Sequence, residues 1–336
     1  MRFRGFAAAL FAFALVPSLS LAQSPAIVMK LGTPTINDST HEWLKLFARH
    51  IEKDTGGRIR AEIYPAGQLG TSPRMIEQTQ LGSIQGMAGA PEFLVGVDSR
   101  YQVLGAPGLF KNLQQTYRTL QDPEFNKAFL GLGADKGLLG VGLMIGGPTV
   151  FVTRKQVAKL ADLEGLKIRT LPGRLQLAQV RKLNASPIPM ALGEVLPALQ
   201  QGALDGVMSN TSVLVSLRYF EAAKYLVETN HSLIAAIAVF SKRWFDQLPA
   251  DLKPLIIEAG KKASADVYKF SIDDVQKATD AWTTNGGVIT RLSPAEQSDM
   301  MEKELSVGIE ETAGSPGEKA MFEVLRAAAT RAAAQP

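Results

Sequence analysis

Apolar and polar positions change period repeatedly along this chain. Ala26-Ile-Val-Met-Lys-Leu31 is a β-like run, and beyond the polar stretch Gly32–Thr40 the residues Trp43, Leu44, Phe47, Ala48 and Ile51 recur at helical spacing. Asp38, Ser39 or Thr40 is placed to cap that helix. Thr55-Gly56-Gly57 stops it, and Arg58 to Tyr64 alternates like a second strand. Pro73 to Leu81 reads as another helix and Met87-Ala88-Gly89 as a short buried strand. Strands alternating with helices predict an α/β lobe on a mainly parallel sheet.

The alternation resumes after Gly137. Gly140 to Ile145, Val150 to Thr153, Lys167 to Thr170 and Gly206 to Met208 read as strands, with helices over Leu175–Leu183 and Val195–Gln201. A second lobe of the same kind is expected. From about Asp251 to Trp282 the helical period is long, with Pro249 and Pro254 near its start and Gly286-Gly287 as its stop. A helix of that length exceeds what one small lobe needs and is able to brace two. The Ala-rich tail, residues 326–336, is expected to fray.

The first residues do not belong to this scheme. Arg2 and Arg4 precede the apolar run Gly5–Val16, Pro17 breaks it, and Ser20-Leu21-Ala22 supplies small residues for cleavage. That is the layout of a secretory leader, 1–22, giving a mature start at Gln23 in the periplasm. The run is shorter than the roughly 20 residues a bilayer span needs. The full sequence of 336 residues is 46% hydrophobic and 20% charged, a balance that suits two medium lobes. Taking away Arg2 and Arg4 leaves 34 basic against 32 acidic side chains, with no basic run among aromatics, so nucleic acid is not an expected partner. The absence of cysteine excludes thiolate metal sites, disulfides and a cysteine nucleophile, and leaves no lipid-attachment cysteine.

Enzyme signatures are missing. There is no G-x-S-x-G elbow, no phosphate-binding P-loop and no H-E-x-x-H. Gly131-Leu-Gly133 and Gly140-Val-Gly142 are fragments of a dinucleotide fingerprint without its third glycine, and read as loops or close packing. The three histidines are His41, His50 and His231; the first two are nine residues apart, on opposite sides of a helix, and cannot share a metal. No metal, cofactor or catalytic residue is expected.

Three phrases are more informative. Tyr64-Pro-Ala-Gly-Gln-Leu-Gly70 follows a strand, Ala161-Asp-Leu-Glu-Gly-Leu-Lys-Ile-Arg-Thr170 ends in one, and Pro187-Ile-Pro-Met-Ala-Leu-Gly-Glu-Val-Leu-Pro-Ala-Leu-Gln-Gln-Gly-Ala-Leu-Asp-Gly206 leads into another. In this order and spacing, with His231 and the Trp244–Pro249 phrase behind them, they resemble the extracytoplasmic binding subunits of tripartite ATP-independent periplasmic (TRAP) transporters of the C4-dicarboxylate-binding type. The resemblance covers nearly the whole mature chain. It implies a two-lobed periplasmic-binding-protein fold with a central cleft, crossing hinge strands and a long helix bracing both lobes. Lobe one is expected over 23–146 plus about 232–272, and lobe two over 147–231 plus about 273–325.

The resemblance also implies that Arg169 clamps a ligand carboxylate. Its place near the carboxyl end of a strand suits that role, and a guanidinium donates two parallel hydrogen bonds to a carboxylate. Where many members carry a second arginine, this chain has Thr149; where many carry asparagine, Ser209 stands, followed by Asn210; Leu192 replaces an aromatic. Arg174 in the following loop is the one residue able to restore a second charge. His41, Glu92 and Phe93 complete the candidate ligand-binding set. The expected function is capture of a small carboxylate, a monocarboxylate rather than a C4-dicarboxylate or sialic acid, by a monomer that delivers it to TRAP permease subunits. The alternatives are an exported enzyme acting on such an acid and the binding protein of an ATP-driven transporter.

Overall fold

The computed structural model describes residues 26–335; the leader and its cleavage site lie outside the described residues. The strands are β1 (Ile27–Gly32), β2 (Ile59–Tyr64), β3 (Gly86–Gly89), β4 (Leu138–Thr153), β5 (Lys167–Thr170), β6 (Ser186–Pro189), β7 (Gly206–Asn210), β8 (Tyr225–Glu228), β9 (Leu233–Ser241) and β10 (Val288–Arg291). The α-helices are α1 (Ser39–Asp54), α2 (Ser72–Leu81), α3 (Leu113–Leu120), α4 (Pro123–Leu130), α5 (Arg174–Lys182), α6 (Leu192–Gln200), α7 (Thr211–Ser216), α8 (Lys242–Gln247), α9 (Lys253–Thr284), α10 (Pro294–Glu304), α11 (Val307–Thr312) and α12 (Pro316–Ala333). None of the described helices is long and apolar enough to cross a membrane.

The sheet order is β2-β1-β3-β9-β4-β7-β5-β6, with β8 pairing with both β4 and β10. The outer strands pair in parallel, as expected. The middle is antiparallel, because β9 runs opposite to β3 and β4, and β4 opposite to β7 and β8. The sheet is therefore mixed rather than mainly parallel. The reason lies in β4 and β9, which cross between the lobes in opposite directions. The two strands expected at Gly140–Ile145 and Val150–Thr153 are one 16-residue strand, bent at register shifts beside Gly142 and Gly147. Its first part builds lobe one with β9; Thr149–Thr153 build lobe two with β7.

Both faces of each half-sheet are buried. Along β9, Ala235, Ile237 and Val239 join one core, while Ala236, Ala238 and Phe240 join the other. In lobe two Val150 and Val152 face one core and Phe151 the opposite one. This two-residue period over an all-apolar run marks strands covered on both sides. The 32-residue α9 ties the lobes together: Ile256, Ala259, Ala263 and Val267 are in a lobe-one core, and Trp282 is in a lobe-two core. Its approach to β4 needs a glycine. A Cβ on Gly142 would lie 2.5 Å from Trp43 and 2.6 Å from the Ser264 hydroxyl.

The hinge beside the crossing strands is held by side chains. Ser232 donates to the Thr149 hydroxyl at 2.8 Å, and the Thr229 hydroxyl donates to the Thr149 carbonyl at 3.1 Å. The Thr229 hydrogen is thus spent, so the 2.9 Å contact with His231 makes Nδ1 the donor. His231 is buried against Phe151, and its Nε2 has no partner. A proton there would find no acceptor, and burial holds the imidazole down at about 3.

The C-terminal end corrects the expected frayed tail. Residues up to Ala333 continue α12, which packs on α3 and α4. Met321, Phe322, Leu325, Ala328, Ala329 and Ala332 form its buried stripe, and Arg331 donates to Asp122 at 2.8 Å. Alanine combines the highest helix propensity with a size that fits a close helix contact. This helix also lies on lobe one, whereas residues to 325 were expected on lobe two.

Two outcomes follow. Deleting residues 326–336 should lower unfolding free energy by roughly 2–4 kcal/mol, from three lost buried methyls and the uncovered surface beneath them. Urea denaturation with an unchanged midpoint would contradict the docked helix. His231 titrates near 6.5 when unfolded but only near 3 when folded, so the unfolded state binds the extra proton in between and stability falls with pH. Relative to His231→Gln, the wild type should lose roughly 2 kcal/mol between pH 7 and 5. Equal losses in both proteins would contradict a buried neutral His231.

Candidate functional site

The carboxyl ends of β5 and β7 and the N-terminus of α1 meet where the lobes face each other, and enclose a cavity of about 40 Å³. Lobe one supplies Pro34, Thr35, Asp38, Thr40, Gly89, Ala90 and Phe93. Lobe two supplies Arg169, Leu171, Leu192, Ser209, Asn210 and Val213. The crossing strands floor it with Gly146, Ile234, Ala235 and Ala236. The small floor is a requirement of space: a Cβ on Gly146 would stand 2.7 Å from the Ile234 carbonyl and 3.2 Å from Asn210 Nδ2.

Arg169 is 1% exposed. Its Nε and Nη2 donate to the Met190 carbonyl at 3.0 and 2.8 Å. Those bonds hold one edge of the guanidinium and fix its plane. Nη1 and the second hydrogen of Nη2 form the other fork, an end-on pair with the geometry to hold a carboxylate. Burial lowers the group to about 10, against the opposing pull of Tyr219 and Glu92, so it stays a cation at neutral pH. Tyr219 is itself held in place by donating to the Leu192 carbonyl at 2.8 Å.

Ser209 and Asn210 end β7 in register with Val150 and Thr149. Asn210 caps α7 through Oδ1, which accepts from Val213 N–H at 2.9 Å and leaves its amide NH₂ as a donor. Asp38 caps α1 through Oδ1, accepting from His41 N–H at 3.0 Å. It is 4% exposed, and burial pushes its carboxyl up despite that bond.

The structure brings Arg169, Ser209, Asn210 and Phe93 to the cavity wall and keeps the other four candidates away from it. Thr149 is buried, but its hydroxyl accepts from Ser232 and serves the hinge. Arg174 opens α5 and turns outward to Glu318, with a further bond to the Glu311 carbonyl at 3.0 Å, so it restores no charge in the cavity. His41 accepts from Asn37 N–H at 3.1 Å on the outside of the first turn of α1. Glu92 is buried behind the wall, bonded to Gln176 at 3.4 Å, and burial raises it to about 7 with Arg169 pulling it down. Asp38, Thr35 and Thr40 are the members that sequence reading missed as site residues. The signal for Asp38 and Thr40 was a capping phrase, which reads as local structure until the fold aims it at the cleft.

Comparison with known proteins agrees with the fold. Residues 33–308 match bacterial extracellular solute-binding protein family 7. The 2,3-diketo-L-gulonate-binding periplasmic protein YiaO of Escherichia coli is 28% identical, over 90% of this chain and 92% of its own length. The C4-dicarboxylate-binding periplasmic protein DctP of Rhodobacter capsulatus is 26% identical, over 82% and 84%. The solved structure of the sugar acid binding protein DctPAm from Advenella mimigardefordensis with galactonate is 25% identical, with a TM-score of 0.85 over 91% of this chain and 99% of that one. With most of its length inside the family's profile and the same two-lobed architecture, this chain belongs to the bacterial extracellular solute-binding proteins of family 7.

Proposed function

We propose that this protein works in the periplasm as the binding subunit of a TRAP transporter, capturing a small organic acid between its lobes and handing it to the membrane permease. The observation that carries this reading is Arg169: a buried cation on the wall of an interlobe cavity, with one fork held by a backbone carbonyl and the other left for an anion. The names of the relatives support the ligand class, since they are binders of diketogulonate, C4-dicarboxylates and galactonate.

Capture proceeds by closure. With the lobes apart, Arg169 is reachable from water. A bound carboxylate contacts the guanidinium from lobe two and the Asp38–Thr40 wall from lobe one, so the closed state gains contacts that the open state lacks. The moving bodies divide at the crossing strands, residues up to 146 with 232–272 and α12 against 147–231 with 273–315. Export through cleavage after Ala22 places the protein where the permease receives its ligand, and the ligand is released unchanged.

The test is calorimetric titration of the mature protein with organic acids, with the ligand recovered afterwards. Truncating one partner of a buried charge pair costs about 2–5 kcal/mol, so Arg169→Ala should weaken binding roughly 30-fold to several thousand-fold. Arg169→Lys should also bind poorly, because a point charge cannot hold both carboxylate oxygens and the Met190 carbonyl. Affinity within about twofold of wild type for Arg169→Ala would remove Arg169 from the site. Steady release of a product would identify an enzyme instead.

A further inference from the structure

The cavity has two electrostatic ends. Among the described residues that line it, Arg169 is the sole basic side chain and Asp38 the sole acidic one. The two do not neutralise each other. The carboxyl that acts on Arg169 is that of Glu92. Asp38 instead shares its surroundings with another carboxyl, Asp274 of α9, which burial and the charge of Asp38 raise to about 6. Around Asp38 stand neutral groups, the hydroxyls of Thr35 and Thr40, with Ser209 and Asn210 on the facing lobe. Its Oδ1 accepts from His41 N–H at 3.0 Å, and the Thr35 and Thr40 hydroxyls and its own backbone N–H also lie against the carboxyl.

We infer that Asp38 is a specificity-determining residue: it accepts a hydrogen bond from a hydroxyl at the far end of the ligand and rejects a second carboxylate there. The inference rests on Arg169 holding the ligand's first carboxylate. A dicarboxylate gripped at Arg169 would bring its other charge toward a wall whose ionisable group is already a carboxylate. Two like charges closed into a water-poor cavity cannot both stay ionised without cost, and the wall offers no second cation. A hydroxyl in the same place is a donor facing a strong acceptor. The apolar lining from Pro34, Leu192, Val213 and Ile234 packs the carbon chain between the two ends.

Matched ligand pairs that differ only at the terminal group test this: 4-hydroxybutyrate against succinate, and galactonate against galactarate. The full mature chain, stripped of ligand by unfolding and refolding, is titrated calorimetrically as wild type, Asp38→Asn and Arg169→Ala. Asparagine caps a helix about as well as aspartate, so Asp38→Asn keeps the fold while removing the charge. Wild type should prefer the hydroxy acid of at least one pair by roughly tenfold or more, and Asp38→Asn should shrink that preference about tenfold, chiefly through tighter dicarboxylate binding. The Arg169→Ala protein should lose both members of the pair, which separates a failure of the arginine clamp from a failure of the Asp38 assignment. A preference unchanged within about twofold in Asp38→Asn, a wild type that favours the dicarboxylates, or one that binds neither member of either pair overturns the inference.

Discussion

A buried guanidinium, held by a backbone carbonyl, lines the cavity between the two lobes. Removing an ion from water costs several kcal/mol unless hydrogen bonds and an opposite charge replace the hydration. Arg169 receives part of that replacement from the Met190 carbonyl and from the field of Glu92. In the proposed function an anion takes the remaining fork, so that binding and closure become one event: the anion completes a site that closure desolvates, and its charge weighs more there than in water.

The rest of the fold serves that coupling. Two strands cross between the lobes, and α9 spans both cores, so the lobes are joined without being fused. The bends sit in β4 beside Gly142 and Gly147, where ladder pairing is interrupted. Thr149, Thr229, His231 and Ser232 lock the adjacent segment with hydrogen bonds, His231 donating through Nδ1, and burial keeps its imidazole neutral. Arg174, Gln102 and Glu318 join α5 to α12 on the opposite side. Polar groups that resemble binding residues in the sequence are spent on geometry, and this leaves a single basic side chain among the described residues that line the cavity.

Much of this was legible in the residues. The phrase around Arg169 placed a guanidinium at a strand end, and the apolar periods located both lobes and the long helix. The departures have physical causes. Thr149 and Arg174 lie close in sequence to the cavity wall, but side-chain direction decides their role: Thr149 points to the hinge, and Arg174 turns toward a buried glutamate. Asp38 was read as a helix cap and is one, yet a cap at the end of a helix that opens onto the cleft also becomes part of the wall. The Ala-rich tail carries too little apolar surface to announce a core, but its small side chains are what a close contact with α3 and α4 requires.

The central claim is that Arg169 grips the ligand carboxylate inside the interlobe cavity. The most direct measurement is a crystal structure of the mature protein with the acid that stabilises it most in a thermal-shift panel. The ligand carboxylate should lie about 2.7–2.9 Å from Nη1 and Nη2 of Arg169, with the Nε bond to Met190 retained. An acid bound elsewhere, or one whose carboxylate faces away from Arg169, would contradict the account.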